Sequence, residues 1–153
     1  MSLKTKLKDI EAKLDIKVYD KEGKLIPEKC MDACVFTIIG KQEIGDLLRE
    51  QGGAVGITHC ALGDDGTEAQ KSDEHLGNEL YREAIDSHSR TGTIVKITVV
   101  IDYGEANGPG SQVYREAALL NAAVGGIMSV RANFPDKTKT SSVRWTLEWQ
   151  ILV

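Results

Sequence analysis

The sequence predicts a mainly β protein with one or two helices (α+β), in which an antiparallel β-sandwich follows an N-terminal helical segment. Two observations predict the strands: apolar and polar residues alternate through the C-terminal half, and glycine-rich turn clusters separate the alternating runs. A third sets the size, because 153 residues of which 41% are apolar fit one domain with a substantial core. We therefore expect a single β-rich domain over residues 1–153, with 1–28 as a helical or hairpin extension.

The segment 143–153 shows the clearest strand pattern. Its even positions from 144 to 150 are polar, its odd positions are apolar, and both tryptophans fall on the apolar side. This period is typical of an antiparallel strand with one face in the core and one in water, so the tryptophans are expected to anchor the core. The apolar positions are Val143, Trp145, Leu147, Trp149, Ile151 and Val153.

Further strands are predicted upstream, separated by turns. β-branched residues crowd 94–101, and apolar residues alternate with polar ones over 128–134. The glycine cluster 104–110 indicates a turn, and Gly125-Gly126 indicates a hairpin. With a short strand at 56–62, about six or seven strands are expected, which favours a sandwich.

The residues of segment 114–123 are compatible with two structures. The sequence YREAALLNAA is rich in good helix formers. It also lies between two predicted strands with short connections, where tertiary context commonly overrides propensity. The residues alone leave helix and strand open.

Two other segments show helical periodicity. In 41–50, Ile44, Leu47 and Leu48 share one face, and Gly52-Gly53 are expected to end the helix. Between residues 3 and 14, apolar residues recur at helical spacing and form one narrow stripe. Such a stripe suits docking on a partner or another protomer, with packing on its own domain as the alternative. The stripe consists of Leu3, Leu7, Ile10 and Leu14.

Charge and apolar patterning argue against two classes of partner. The chain has 23 acidic and 19 basic residues, a formal charge of −4 and a pI near 5.4. This balance disfavours sequence-independent binding to nucleic acid, which needs concentrated Lys and Arg. No apolar run reaches the ~18 residues of a membrane span. The sequence therefore predicts neither a nucleic-acid partner nor a membrane partner.

No catalytic motif stands out. The glycine clusters lack the spacing of nucleotide-binding loops, and neither a nucleophile elbow nor a zinc-protease motif is present. The cysteines and histidines are scattered without metal-ligand spacing, and Cys60 with His75 would need a third group to form a nucleophilic site. We therefore predict no enzyme, no metal and no cofactor.

Two groups of carboxylates remain as alternatives. The stretch Asp64-Asp65, with Glu68, offers the ligand type that calcium prefers but lacks the full spaced set of an EF-hand, so a solvated loop is favoured. Glu105 and Glu116 are candidate paired carboxylates for glycoside hydrolysis, a role that their separation in space decides.

An ordered set of motifs runs from residue 40 to residue 151. After a helix closed by Gly-Gly, the motifs are ITHCALGDDGT (57–67), LGNELYR (76–82), GEANG (104–108), EAALLNA (116–122), GGIMSVR (125–131) and WTLEWQI (145–151). This order resembles a family of small bacteriophage tail and baseplate-associated structural proteins that also occur in prophages, over about three quarters of the chain. The chain departs from the family pattern at GDDG in the first loop, at ALL within EAALLNA and at SVR, which puts a shared partner surface in doubt.

The resemblance implies a non-enzymatic component of a phage or prophage tail, baseplate or tail fibre. Such a component would be made in the cytoplasm of the bacterial host and reside in the virion tail. It would assemble with copies of itself as a homo-oligomer and with other tail proteins. The stripe at 3–14 lies outside the resembling segment and offers candidate assembly contacts for such a component by its helical spacing. The resemblance also favours a strand for 114–123.

A carbohydrate- or receptor-binding module that recognises a bacterial surface is the alternative function. The loops 63–72 and 104–111 would form its binding edge, and a sugar site would need an exposed aromatic ring, for which Tyr81 is a further candidate. The candidate ligand-loop residues are Asp64, Asp65, Tyr103, Glu105 and Tyr114.

Overall fold

The computed structural model describes residues 9–28 and 31–153, within which ten strands and one helix form. The prediction of a mainly β fold with a helical component is confirmed. In chain order the elements are β1 (Glu11–Tyr19), β2 (Leu25–Ile26), β3 (Met31–Phe36), α1 (Ile38–Arg49), β4 (His59–Gly63), β5 (Glu79–Ala84), β6 (Ser87–Thr91), β7 (Ile94–Ile101), β8 (Ser111–Leu120), β9 (Met128–Thr140) and β10 (Arg144–Leu152).

The strands form one continuous antiparallel sheet. Its hydrogen-bonded order is β5-β4-β8-β9-β3-β1-β10-β7-β6, with β2 beside β1. The two edge strands follow each other in the chain with only Ile85 and Asp86 between them, so the sheet curls until its edges approach each other. The amide N–H of Ile85 donates to Thr58 O next to β4, and that of Asp86 donates to Thr98 O on β7.

The predicted sandwich of two separate sheets is not confirmed. Strand β3 pairs with β1 on one side and with β9 on the other, and this pairing joins both halves into the curled sheet. The two halves nevertheless share one core, because Leu14 and Leu147 from one half and Leu119 and Val130 from the other belong to the same buried cluster.

Both tryptophans anchor this core, as predicted. The exposed fractions of Trp145 and Trp149 are 0% and 1%. The Tyr114 ring packs edge-on against Trp145, with the ring centroids 5.8 Å apart and the planes at 74°. The Trp149 Nε1–H has no hydrogen-bond partner of adequate geometry among the described residues, although the weakly accepting Cys60 thiol lies beside it.

The prediction of an N-terminal helix is wrong for residues 11–14, which begin strand β1. From Ala12 onward every second residue is buried, and Leu14 is 0% exposed on the core face. A strand places residues two apart on one face, so the apolar side chains at 12, 14, 16 and 18 all enter the core together. Ile10 is half-buried against the same core. Ile10 and Leu14 thus pack within their own domain, whereas Leu3 and Leu7 lie outside the described residues.

Helix α1 begins three residues before the predicted start and ends one before the predicted end. The Thr37 hydroxyl caps it by accepting from Gly40 N at 3.0 Å, and Glu50 ends it in the left-handed conformation with φ 52°. Gly52 and Gly53 follow with φ values of 68° and 65°, as the predicted stop requires. In the described part of the chain, no helix has the length and apolar character needed to cross a membrane.

The segment 114–123 contains the end of strand β8, so the strand alternative is confirmed. Both faces of this strand are covered: Ala117 and Leu119 face the main core, while Ala118 and Leu120 belong to a second buried cluster with Ala61, Leu76 and Met128. The hairpin from β8 to β9 turns through Gly125 and Gly126 with φ values of 63° and 80°, which confirms the predicted turn.

Candidate functional site

A buried ion pair lies on the outer face of the sheet, between β8 and β9. Glu116 is 0% exposed and Arg131 is 3% exposed. The pairing of β8 with β9 shifts register between Tyr114 and Glu116, which turns Tyr114 into the core and Glu116 to the outer face. The Arg131 guanidinium then donates to Glu116 Oε1 through Nε at 3.3 Å and Nη2 at 3.2 Å.

Glu116 also fastens the loop 64–78 over this face. Its two carboxylate oxygens accept from the backbone N–H groups of Asp65 at 2.9 Å, Gly77 at 2.8 Å and Asn78 at 2.9 Å. Arg131 completes the attachment by donating to Thr67 O at 2.9 Å and to Asp73 Oδ2 at 3.1 Å. Five donors thus reach the two oxygens of Glu116, which attaches the loop to the sheet and leaves neither of these oxygens open to a substrate.

Two glycines make the attachment possible. A Cβ at Gly63 would lie 2.3 Å from Asn78 O and 2.5 Å from Glu116 Oε2, and a Cβ at Gly77 would lie 1.8 Å from Asp65 Oδ2. Gly63 at the end of β4 therefore lets Glu116 and Asn78 approach closely, and Gly77 does the same for Asp65.

The predicted loop residues Asp64 and Asp65 use their carboxylates within the loop. Asp64 Oδ1 accepts from Asn78 Nδ2 at 2.7 Å, and Asp65 Oδ1 accepts from Thr67 N at 2.8 Å. The hydrogen bonds from Thr67 lower the pKa of Asp65 below its ordinary value. Among the described side chains, no group of three or more His, Cys, Asp or Glu residues is arranged to hold a metal ion.

A second cluster joins β5 to the loop 102–110. The Tyr81 hydroxyl lies 2.6 Å from Glu83 Oε2 and 2.7 Å from Glu105 Oε2, and the two carboxyl groups are within hydrogen-bonding reach of each other. Burial first, and then the contact with Glu105, raise the pKa of Glu83 to about 8. The hydrogen bonds from Glu83 and Tyr81 lower the pKa of Glu105. These opposite shifts favour the state in which Glu83 is protonated and Glu105 is ionised.

The buried amine of Lys139 supports the same loop from β9. It is 0% exposed and donates to Asp102 O at 2.9 Å, Asn107 Oδ1 at 2.9 Å and Thr140 O at 3.0 Å. Burial lowers the pKa of Lys139, while the nearby acids Glu105 and Asp102 oppose that shift. The amine thus ties both ends of the 102–107 turn to the sheet.

The loop 102–110 and Tyr81 border an open groove of about 560 Å³. Tyr114 lies at its floor, is 2% exposed and donates to Ala106 O at 2.7 Å. Tyr103 covers the Arg144 guanidinium at 5.0 Å from its ring centroid, and its hydroxyl donates to Asp20 O. The burial of Tyr114 removes it from the exposed stacking platforms that a sugar site needs.

The candidate catalytic pairs are not brought together. Glu105 binds Tyr81 and Glu83, whereas Glu116 binds Arg131 and the loop 64–78, so the two share no hydrogen-bond partner. Cys60 is 1% exposed, and burial raises the pKa of its thiol, with the charge of Glu83 acting in the same direction. His75 Nδ1 contacts Leu76 O at 2.8 Å instead of the thiol.

An apolar groove of about 340 Å³ lies between α1 and the ends of β7 and β10. Gly40 is the one buried residue of α1, Ile44 is half-buried against the core, and the C-terminal residues 47–49 of the helix are exposed. Leu47, Val55 and Val153 line the groove and are 41%, 50% and 59% exposed, and Leu48 beside them is 83% exposed. The remaining apolar lining includes Ile44, Ile57, Val95 and Ile151.

Sequence reasoning missed three of these features: the Glu116–Arg131 pair, the Lys139 amine and the groove beside α1. A signal for the first was present, because Glu116 and Arg131 each stand in a motif of the resemblance. Comparisons with protein-family models, with curated proteins and with solved structures found no match.

Proposed function

We propose that the protein is a non-enzymatic structural component of a phage or prophage tail, baseplate or tail fibre that acts through protein–protein assembly. Its partners in this proposal are copies of itself and other tail proteins, and its place is the virion tail, after synthesis in the host cytoplasm. The apolar groove beside α1 is the observation that carries the proposal. A contiguous apolar surface of this kind is typical of protein–protein contacts.

The residues behind the resemblance support a scaffold role. Asn121 in EAALLNA accepts from Ile127 N at 2.7 Å and donates to Glu43 Oε1 at 3.2 Å, which links the β8–β9 hairpin to α1. Glu116 and Arg131 fasten the loop 64–78, as described above. Motif residues that hold loops and hairpins in place suit a module that presents fixed surfaces to neighbours.

A charged residue introduced into the wall of the apolar groove tests the proposal. Leu47→Asp introduces a carboxylate into the groove, and Leu25→Asp does the same at a residue of similar exposure, 47% against 41%, on the β1–β2 hairpin away from α1. Light scattering over a range of concentrations should show self-association of the wild-type chain and of Leu25→Asp. Leu47→Asp should remain monomeric with an unchanged circular dichroism spectrum.

A monomeric wild-type chain would overturn the self-assembly part, and equal association of both variants would remove the groove from it. Co-purification of the chain with tail particles then decides whether it assembles with other tail proteins alone.

The open groove at the loop 102–110 favours the alternative function, a carbohydrate- or receptor-binding module. The Gln112 side chain lines it as a hydrogen-bonding group, and Tyr81 supplies a half-buried ring. The Asn107 side chain is engaged with Lys139 and Tyr103 O. Binding to a glycan array that is lost on Gln112→Ala would promote this function above the first. No binding to bacterial surface glycans would leave assembly as the proposal.

A further inference from the structure

The cluster of Tyr81, Glu83 and Glu105 contains more acceptors than one phenol can serve. Tyr81 has a single hydroxyl proton, yet its oxygen lies 2.6 Å from Glu83 Oε2 and 2.7 Å from Glu105 Oε2. Oxygen atoms approach this closely when a proton lies between them, so each contact needs its own proton. The second proton must be carried by one of the glutamates. With both glutamates ionised, the cluster would hold only the Tyr81 hydroxyl proton. The observed arrangement therefore holds one proton more than that.

The additional proton is linked through Glu105 to the turn 104–110, whose backbone is strained. Glu105 is the side chain through which the turn 104–110 reaches β5, and the next residue, Ala106, has φ 58°, a left-handed conformation that is strained for alanine. Gly104 precedes Glu105 with open space where its Cβ would be, and Gly108 follows with φ 53°. Glu105 and the Tyr114 hydroxyl, which donates to Ala106 O at 2.7 Å, hold this turn from two sides, so release of Glu105 removes one of the contacts that fix it.

We propose that Tyr81, Glu83 and Glu105 form a proton-dependent latch, which holds the turn 104–110 closed against β5 and loosens as the pH rises toward mildly alkaline values.

The other ionisable groups around the latch determine whether its protonated or its ionised form is favoured. Cys60 faces Glu83 from β4 and stays a neutral thiol, and Asp86 beyond the end of β5 adds negative charge that favours the protonated form. Asp102 lies beside Glu105 and also adds negative charge, partly balanced by Arg144 from β10. Lys139 from β9 supplies the positive charge near Glu105 and donates to Asp102 O and Asn107 Oδ1.

The direction of the pH effect follows from proton uptake. In the open state the glutamates ionise near the ordinary carboxyl pKa of ~4.3, whereas burial and Glu105 raise the pKa of Glu83 in the closed state to about 8. Between these values, opening releases a proton, so each pH unit favours opening by at most about tenfold. The latch is therefore tightest near the open-state pKa of ~4.3. It weakens steadily as the pH rises, and its stability no longer depends on pH above the closed-state pKa of about 8.

Hydrogen exchange of the turn amides measures the opening directly. The Asp102 amide donates to Glu105 Oε1 at 3.3 Å, and the Glu105 amide donates to Asp102 O at 3.0 Å. In the full chain, the exchange rates of these two amides, divided by the intrinsic rate at each pH, should rise at least about tenfold between pH 5.5 and 7.5. Glu83→Gln keeps a donor for Glu105 but removes the titrating carboxyl, so its corrected rates should change less than about twofold over that range. The control Glu74→Gln, at an exposed glutamate outside the cluster, should behave as wild type.

A wild-type chain without this pH dependence would overturn the latch, as would a Glu83→Gln variant that retains the wild-type slope. If Glu83→Gln does not fold, carbon-13 titration of the wild-type glutamates decides the matter. One of the carboxyls of Glu83 and Glu105 must then titrate near pH 8. Ordinary titration of both would contradict the proposal.

Discussion

Gly40 of α1 and Ser129 of β9 lie so close together that a Cβ at position 40 would come within 2.7 Å of Ser129 Cα. The backbone around this contact is well tied, because Thr37 Oγ1 donates to Met128 O at 2.6 Å and Thr37 N donates to Ser129 O at 2.9 Å. The close approach and these bonds fix the N-terminal turn of α1 against β9.

Alanine at positions 40 and 45 should have opposite effects. Gly40→Ala forces α1 away from β9 and should lower the free energy of unfolding by about 1–3 kcal/mol. Gly45 lies in the same helix with nothing within 4 Å of its would-be Cβ, so Gly45→Ala should raise that free energy by about 0.5–1 kcal/mol. Urea unfolding of the two variants compares them, and equal effects would contradict the close contact.

Neutralising Glu116 should be among the most damaging single changes in the chain. Glu116→Gln leaves the buried Arg131 guanidinium with only the half-exposed Asp73 as a charged partner and replaces one accepting carboxylate oxygen by an amide donor, which should cost about 2–4 kcal/mol of unfolding free energy. Asp136→Asn is the matched control, because the Arg115–Asp136 pair has side chains 37% and 68% exposed and should cost less than about 1 kcal/mol. Denaturant unfolding checks both, and a cost for Glu116→Gln no larger than the control would contradict a structural role for the network.

The Cys60 thiol should be protected from alkylation in the folded protein. Burial raises its pKa, and Glu83 adds to the shift, so the reactive thiolate forms only at a higher pH than in an ordinary cysteine. In a variant in which Cys30 and Cys34 are serines, iodoacetamide at pH 8.5 should label Cys60 at least about 100-fold more slowly in buffer than in urea. Mass spectrometry follows the labelling, and similar rates in both conditions would contradict the burial of the thiol.

The strands that the sequence predicts best are those with one wet face. Strand β7 spans 94–101 as expected, and β10 alternates between core and solvent through Trp145, Leu147 and Trp149. Strand β8 is not predicted by the same alternation because both of its faces are covered. Its buried residues are therefore consecutive, and their pattern is compatible with a helix as well. At the N-terminus, Ile10 and Leu14 fit a helical period as well as a strand, and pairing of β1 with both β10 and β3 decides for the strand.

The sequence predicts which residues belong to the candidate site but not which residues they contact. Glu105, Glu116 and Tyr81 were recognisable as chemistry-bearing residues, but their partners depend on register. A shift at Arg115 between β8 and β9 sends Glu116 to Arg131 on the outer face, far from the role of a catalytic partner of Glu105. The alternation over 128–134 predicts Arg131 on a wet face, and the loop 64–78 that covers it folds back from more than 50 residues earlier. Local patterns carry no information about such a covering segment.

The central proposal is that this protein is a structural component of a phage or prophage tail. It is tested most directly by locating the protein in purified tail particles. Tail particles purified from a lysate of the source phage or prophage host should be labelled by a gold-conjugated antibody against the chain, at a fixed position along the tail under the electron microscope. Labelled tails are the result that the proposal predicts. Unlabelled particles, with the chain recovered entirely in the soluble fraction of the lysate, would contradict it.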